Sequence, residues 1–351
     1  MTPAGVGMGT WARARARVLL ALALFAVVLL GAGVPLLSER ARCRMFGIGC
    51  EHPSGPPPLP AAALPGRQPL TPLEAASQGA YVALGDSFSS GEGAYALPDD
   101  LAPENRCHRT SRSYVHTVSR TFEFAGGSRF FACAGARTEH FFTSKAGEPP
   151  QVEHADAGTS LITLSIGGND LGFTKVLAGC ILALPWSGAC QGQDAGLEAR
   201  KPVLRQELTR IVRSLRERSP RARVILLGYP RLFGEREGAA LDNLGVADQR
   251  WLNAQGKELN DLVHEVARAA DGELAQQGAP GSVEFIDVYS AFTGHEVGTG
   301  VPYVNGLDVD LSAFKVKIHS YHPNAAGYTA LAELVTRQVR QGPGRPLNQW
   351  R

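Results

Sequence analysis

Four short segments hold the residue types that acyl transfer through a serine needs. The first is Gly85-Asp86-Ser87-Phe88-Ser89, directly after an apolar run. A serine at a strand-to-helix turn projects its hydroxyl into a crevice and turns its own N–H toward an incoming anion. Taken alone, the same residues also make an ordinary helix cap. The second is Cys133-Ala134-Gly135-Ala136-Arg137, where a glycine lets the backbone N–H approach an oxyanion or merely makes a turn. The third is Gly167-Gly168-Asn169-Asp170. Asn169 offers a side-chain amide donor and Asp170 a brace for the loop, although such residues also build plain turns. The fourth is His319-Ser320-Tyr321-His322-Pro323-Asn324. Pro323 suits a first helical position, which leaves His322 near the N-cap. An imidazole there can take the serine proton and return it to a leaving group, because it titrates near neutral pH. A metal held by His319 and His322 would lack carboxylates at useful spacing, so no metal or cofactor is expected.

The elements that must position these segments are visible as patterns. Short apolar runs at Tyr81–Leu84, Arg129–Cys133, Leu161–Ile166, Arg223–Leu227 and Val283–Val288 read as strands. Amphipathic helices are expected at Lys201–Arg218, Trp251–Ala270 and Pro323–Arg340. This alternation predicts a three-layer α/β/α sandwich around a central parallel sheet, flavodoxin-like in strand order. Active sites of such sheets lie beyond the carboxyl ends of the strands. Three of the four segments follow a strand and the fourth opens a helix. Together they supply a nucleophile (Ser87), a base (His322) and three oxyanion donors (Ser87, Gly135, Asn169), with Asp86 and Asp170 in support.

The rest of the chain bears on where this domain works. Formal net charge is +2, and no concentrated basic patch suggests nucleic acid as a partner. Arg13, Arg15 and Arg17 precede an uncharged apolar run at 18–37, long enough to span a membrane. It reads as an uncleaved signal anchor with the N-terminus inside, or as a cleaved signal peptide. Either exports the domain. The organisation expected is a basic segment at 1–17, the anchor or signal at 18–37, a proline-rich linker at 38–79, a catalytic domain at 80–343 and a tail at 344–351. A monomer is expected. Six cysteines in an exported chain suggest disulfides. Neighbour pairings Cys43–Cys50, Cys107–Cys133 and Cys180–Cys190 are preferred among several possible sets, with a buried free thiol as the alternative for Cys133.

The segments "YVALGDSFSSGEGA" (81–94), "ACAGART" (132–138), "LSIGGNDLGF" (164–173), "VILLGYPR" (224–231), "FTGHE" (292–296) and "SYHPNAAGY" (320–328) resemble the SGNH (GDSL) hydrolase superfamily. The exported esterases and lipases of actinomycetes are the most similar branch, and the likeness covers roughly residues 80–341. The resemblance implies an esterase or lipase, with Ser87 as nucleophile, His322 as base and Ser87, Gly135 and Asn169 as the oxyanion hole. It also implies the disulfides Cys107–Cys133 and Cys180–Cys190. Two departures stand out. Where many members carry an acid three residues before the histidine, this chain has His319. The main-chain carbonyl of His319 is then expected to orient His322, giving a Ser–His dyad. Val297-Gly298 stands where some relatives have a further cysteine pair. His295 and Arg137 also match the branch, which implies a loop-bracing or pocket-wall role for each, with Arg137 holding a carboxylate such as Glu92 or Asp170.

The substrate expected is an ester: a lipid, a short-chain ester or an acetylated glycan. Two other readings compete. One is an inactive or narrow-substrate module that binds or deacetylates cell-envelope glycans. The other is a phosphodiesterase or nuclease, which would need a metal cluster or basic groove.

Overall fold

The continuous apolar runs pair into one parallel sheet. A computed structural model describes residues 67–184, 187–237, 243–310, 312 and 315–351. The expected anchor at 18–37, the pair Cys43–Cys50 and most of the linker lie outside the described residues. Strands β1 (Ala80–Gly85), β2 (Ser128–Phe130), β3 (Thr159–Ser165), β4 (Arg223–Leu227) and β5 (Ser282–Ile286) lie in the order β2-β1-β3-β4-β5. Every pairing is parallel, and the order is flavodoxin-like. Every residue of β1, β3 and β4 is buried, because helices cover both faces of the sheet. A short antiparallel pair, β6 (Val309–Asp310) and β7 (Lys315–Val316), stands apart from it.

The helices are α1 (Pro72–Ser77), α2 (Ser87–Ser90), α3 (Tyr114–Thr121), α4 (Phe173–Leu182), α5 (Asp194–Glu198), α6 (Lys201–Arg218), α7 (Val246–Gln276), α8 (Val288–Ala291) and α9 (Ala325–Gln341). α1, α3 and α9 pack together as one layer, and α6 and α7 as the other. α6 buries Leu204, Leu208, Ile211, Val212 and Leu215, the stripe that its periodicity marks.

One buried cation locks the layers together. Arg223 on β4 bonds both carboxylate oxygens of Glu284 on β5. Its remaining N–H groups go to the carbonyls of Pro72, Val339 and Gln338. All five guanidinium hydrogens are thereby used, the condition under which a buried charge is tolerated.

The domain boundaries differ from the expectation at both ends. Residues 72–77, placed in the linker, form α1, with Ala75 and Ala76 buried. Thr71 and Glu74 make a capping box and Pro72 sits in the first turn, which starts a helix despite the proline-rich context. The tail at 344–351 folds back as well. Leu347 packs on Leu70 and Ala75, and the Leu70 N–H donates to the Gln349 carbonyl. A further correction concerns α9: its N-cap is Asn324, which accepts from the Gly327 N–H. Pro323 and His322 therefore precede the helix.

Candidate active site

Ser87 stands in the first turn of α2, just past the carboxyl end of β1. Gly85 makes the sharp exit possible. Its φ is +118°, and an added Cβ would lie 2.4 Å from the Ser165 carbonyl oxygen. The buried amide of Gln151 clamps the same glycine, accepting from its N–H at 2.7 Å and donating to its carbonyl at 2.9 Å. Asp86 then caps α2 through the Phe88 N–H.

His322 reaches Ser87 from the other end of the domain sequence. Its Nε2 lies 2.8 Å from the Ser87 Oγ, hydrogen-bond distance for proton transfer. The Ser320 carbonyl is 3.2 Å from Nδ1 and accepts its hydrogen. This corrects the expectation for His319, whose carbonyl instead accepts from the main-chain N–H of His322. The chain turns back between the two residues through Tyr321, at φ +61°, a conformation that a bulky residue adopts only when its surroundings enforce it. Here Tyr321 is buried and its N–H donates to the Asn305 carbonyl, while the Asn305 N–H donates to that of His322. The His319 side chain bonds Asp308 through Nε2, at 2.9 Å. Burial, the main cause, pushes the His322 imidazole down to about 4.

Asp86 is 1% exposed and takes three donors: the Phe88 N–H, the Ser165 hydroxyl and the Tyr229 hydroxyl. Burial pushes its carboxyl up to about 6, with these bonds pulling the other way. The Tyr229 oxygen in turn accepts from the Gly168 N–H at 3.0 Å. One buried chain thus joins the serine turn to the glycine-rich loop after β3.

The other two loops are tied to each other. The Asn169 side chain donates to the Ala136 carbonyl at 2.9 Å, which leaves its second amide hydrogen. Asp170 accepts from both the N–H and the hydroxyl of Thr138, and burial raises its pKa. Disulfide Cys107–Cys133 anchors the Gly135 loop, and Cys180–Cys190 closes the segment after α4. Ser87, Gly135, Asn169 and His322 all line one cavity of about 440 Å³, with Phe173, Leu177 and Ile181 of α4 among its apolar walls. Among the described residues, neither the Ser87 nor the Gly135 N–H is engaged by another group.

One expected contact is absent. Arg137 is exposed and, among the described residues, forms no ion pair with Glu92 or Asp170; Glu92 pairs with His108 instead. His295 holds a loop through the Val301 carbonyl and stacks on Tyr303. The sequence reading missed Tyr229, Gln151 and the Ser320 carbonyl. Tyr229 lies just past the end of β4, so the strand-end rule points to it. A main-chain carbonyl gives no such signal.

The fold and these contacts define a flavodoxin-like α/β/α sandwich with a serine and a histidine in bonding contact at the carboxyl edge of its parallel sheet. The chain belongs to the GDSL-like lipase/acylhydrolase family, which matches residues 83–330, and it is a carboxylic ester hydrolase. It is 31% identical to Lipase 1 of Streptomyces coelicolor over 276 residues, covering 76% of this chain and 88% of that protein. It is 32% identical to a lipase of Streptomyces rimosus over 252 residues, covering 70% and 81%. Among solved structures, phospholipase A1 from Streptomyces albidoflavus is similar at a TM-score of 0.60 and 29% identity, covering 75% of this chain and 99% of that one.

Proposed function

We propose that the protein cleaves esters by two-step acyl transfer through a Ser87–His322 dyad. His322 removes the Ser87 proton as the hydroxyl attacks the ester carbonyl. The N–H groups of Ser87 and Gly135 and the free amide hydrogen of Asn169 receive the charge that develops on the carbonyl oxygen. Each such donor contributes about 3 kcal/mol to the transition state. The alcohol leaves with the proton from His322, and water then attacks the acyl-enzyme by the same route. The observation that carries this reading is the 2.8 Å contact between the His322 Nε2 and the Ser87 Oγ inside the cavity.

The carbonyl of Ser320 orients His322, so the dyad works without a carboxylate partner. The apolar wall from α4 suits an acyl chain, and the relatives named as lipases and a phospholipase support a lipid ester over an acetylated glycan. The domain is proposed to act as a monomer outside the cytoplasm. Its two disulfides fit an oxidising compartment, and a similar solved structure is that of an extracellular lipase from Streptomyces rimosus. Hydrolysis of p-nitrophenyl esters of increasing chain length by the purified protein, with and without a chelator, tests the reading. It predicts activity that survives chelation, favours longer chains and vanishes in Ser87→Ala. Activity abolished by the chelator, or retained by Ser87→Ala, would refute it.

A further inference from the structure

Two more polar residues line the cavity that holds Ser87 and His322: Glu92 and His108. Neither takes part in the acyl-transfer steps. The His108 Nδ1 lies 2.7 Å from the Glu92 Oε2. The Glu92 side chain is only 3% exposed, and its Oε1 is buried with no hydrogen-bond partner among the described residues. Glu92 is therefore a half-satisfied buried carboxyl, an arrangement that usually has a reason beyond packing.

His108 is held with equal insistence. Its φ is +47°, in the left-handed region that non-glycine residues seldom enter. Neighbouring Cys107 is crosslinked to Cys133, and the Cys107 carbonyl accepts from the Ala134 N–H. The pair is thus fixed to the loop that carries Gly135. Strained residues over-determined by their surroundings gather at ligand-binding positions.

The chemistry of the pair follows from its geometry. A carboxylate facing Nδ1 keeps the hydrogen on that nitrogen, so in the neutral ring Nε2 carries a lone pair. Nε2 bonds to no protein group among the described residues. In that state it is a hydrogen-bond acceptor on a residue lining the same largely apolar cavity as Ser87. We propose that His108, held in this tautomer by Glu92, is a specificity residue. It accepts a hydrogen bond from a free hydroxyl on the alcohol half of the ester, so the site favours esters of polyols over esters of simple alcohols. This deepens the acyl-transfer reading and rests on it for the nature of the substrate.

Binding of non-hydrolysable ethers separates the two claims. Calorimetry would compare a 1-O-alkylglycerol ether with the alkyl propyl ether of the same chain, in the wild-type protein, His108→Asn and Glu92→Gln. Asparagine tolerates the left-handed backbone, which guards against simple misfolding. The wild type should bind the glyceryl ether about tenfold more tightly, the worth of roughly one hydrogen bond. His108→Asn should reduce that ratio to about twofold or less while leaving propyl ether affinity unchanged, and Glu92→Gln should lower the ratio in part. With the matched esters, the loss should appear in KM for the glyceryl ester and leave kcat intact. An alkyl glucoside run alongside identifies glycerol or sugar as the source of the hydroxyl. No preference in the wild type, or equal weakening of both ethers in His108→Asn, would overturn the proposal. Failure to hydrolyse either ester would overturn the acyl-transfer reading and leave the binding result standing.

Discussion

The ring of His322 is oriented by a carbonyl of its own loop: its Nδ1 lies 3.2 Å from the Ser320 oxygen. The carboxylate that does reach this loop, Asp308, bonds His319. A carbonyl dipole fixes the tautomer and leaves Nε2 free to accept the serine proton, but it stabilises the imidazolium less than a carboxylate would. Gly93 allows the loop to come so close. It adopts φ +98°, and a Cβ there would meet the His322 side chain and the Pro323 carbonyl at under 3 Å.

The acid limb of activity follows from this environment. As the proposed base, His322 must be neutral to act, and burial lowers it from the ordinary 6.5 to about 4. The base is therefore available from about pH 4 upward, and protonation removes it only below that. A kcat/KM profile should show its acid half-point near 4. A half-point at or above the ordinary 6.5 would mean that the imidazole is not desolvated in the working enzyme.

Asn169 should act on the transition state and little on substrate binding. Replacing it by alanine removes its tie to the Ala136 carbonyl and, in the proposed mechanism, one oxyanion donor. Asn169→Ala should lower kcat by about 10²–10³ with KM nearly unchanged. Steady-state kinetics on a soluble ester decides this, and a loss confined to KM would assign Asn169 to binding.

Tyr229 joins the serine turn to the loop after β3. Tyr229→Phe strips Asp86 of one donor and leaves the Gly168 N–H without its acceptor, both in a buried setting. Denaturant unfolding should show a loss of about 1–3 kcal/mol, together with a reduced kcat. Unchanged stability would show that water replaces the hydroxyl at no cost.

Away from the cavity, Glu284→Ala leaves the Arg223 guanidinium buried without its carboxylate. Such a change should cost about 3–5 kcal/mol, while the kinetics of the folded fraction stay near wild type. A small loss in urea unfolding would mean that the main-chain carbonyls around Arg223 suffice to hold the charge.

How much of this was legible depends on where each signal resides. β4 and α6 are readable to the residue because an apolar run stops at Gly228 and a clean stripe recurs along Lys201–Arg218. By contrast, α4 carries apolar residues around its whole circumference, with Lys175 its sole charge, so periodicity offers no contrast and the segment is not among the helices expected from the sequence. α1 was obscured by the prolines before it, although Thr71-Pro72 with Glu74 is a helix-start signature. The side chains in the site were legible because hydroxyl, imidazole and amide are chemical types that a sequence displays. The Ser320 carbonyl was not, because every residue has one and only the turn at Tyr321 selects it.

The central claim, that Ser87 is the nucleophile activated by His322, is tested most directly by a fluorophosphonate probe read by intact-protein and peptide mass spectrometry. The account predicts one adduct per chain on the peptide containing Ser87. It predicts no adduct in Ser87→Ala and strongly slowed labelling in a folded His322→Ala. Labelling of another serine, or labelling that persists unchanged in Ser87→Ala, would contradict it.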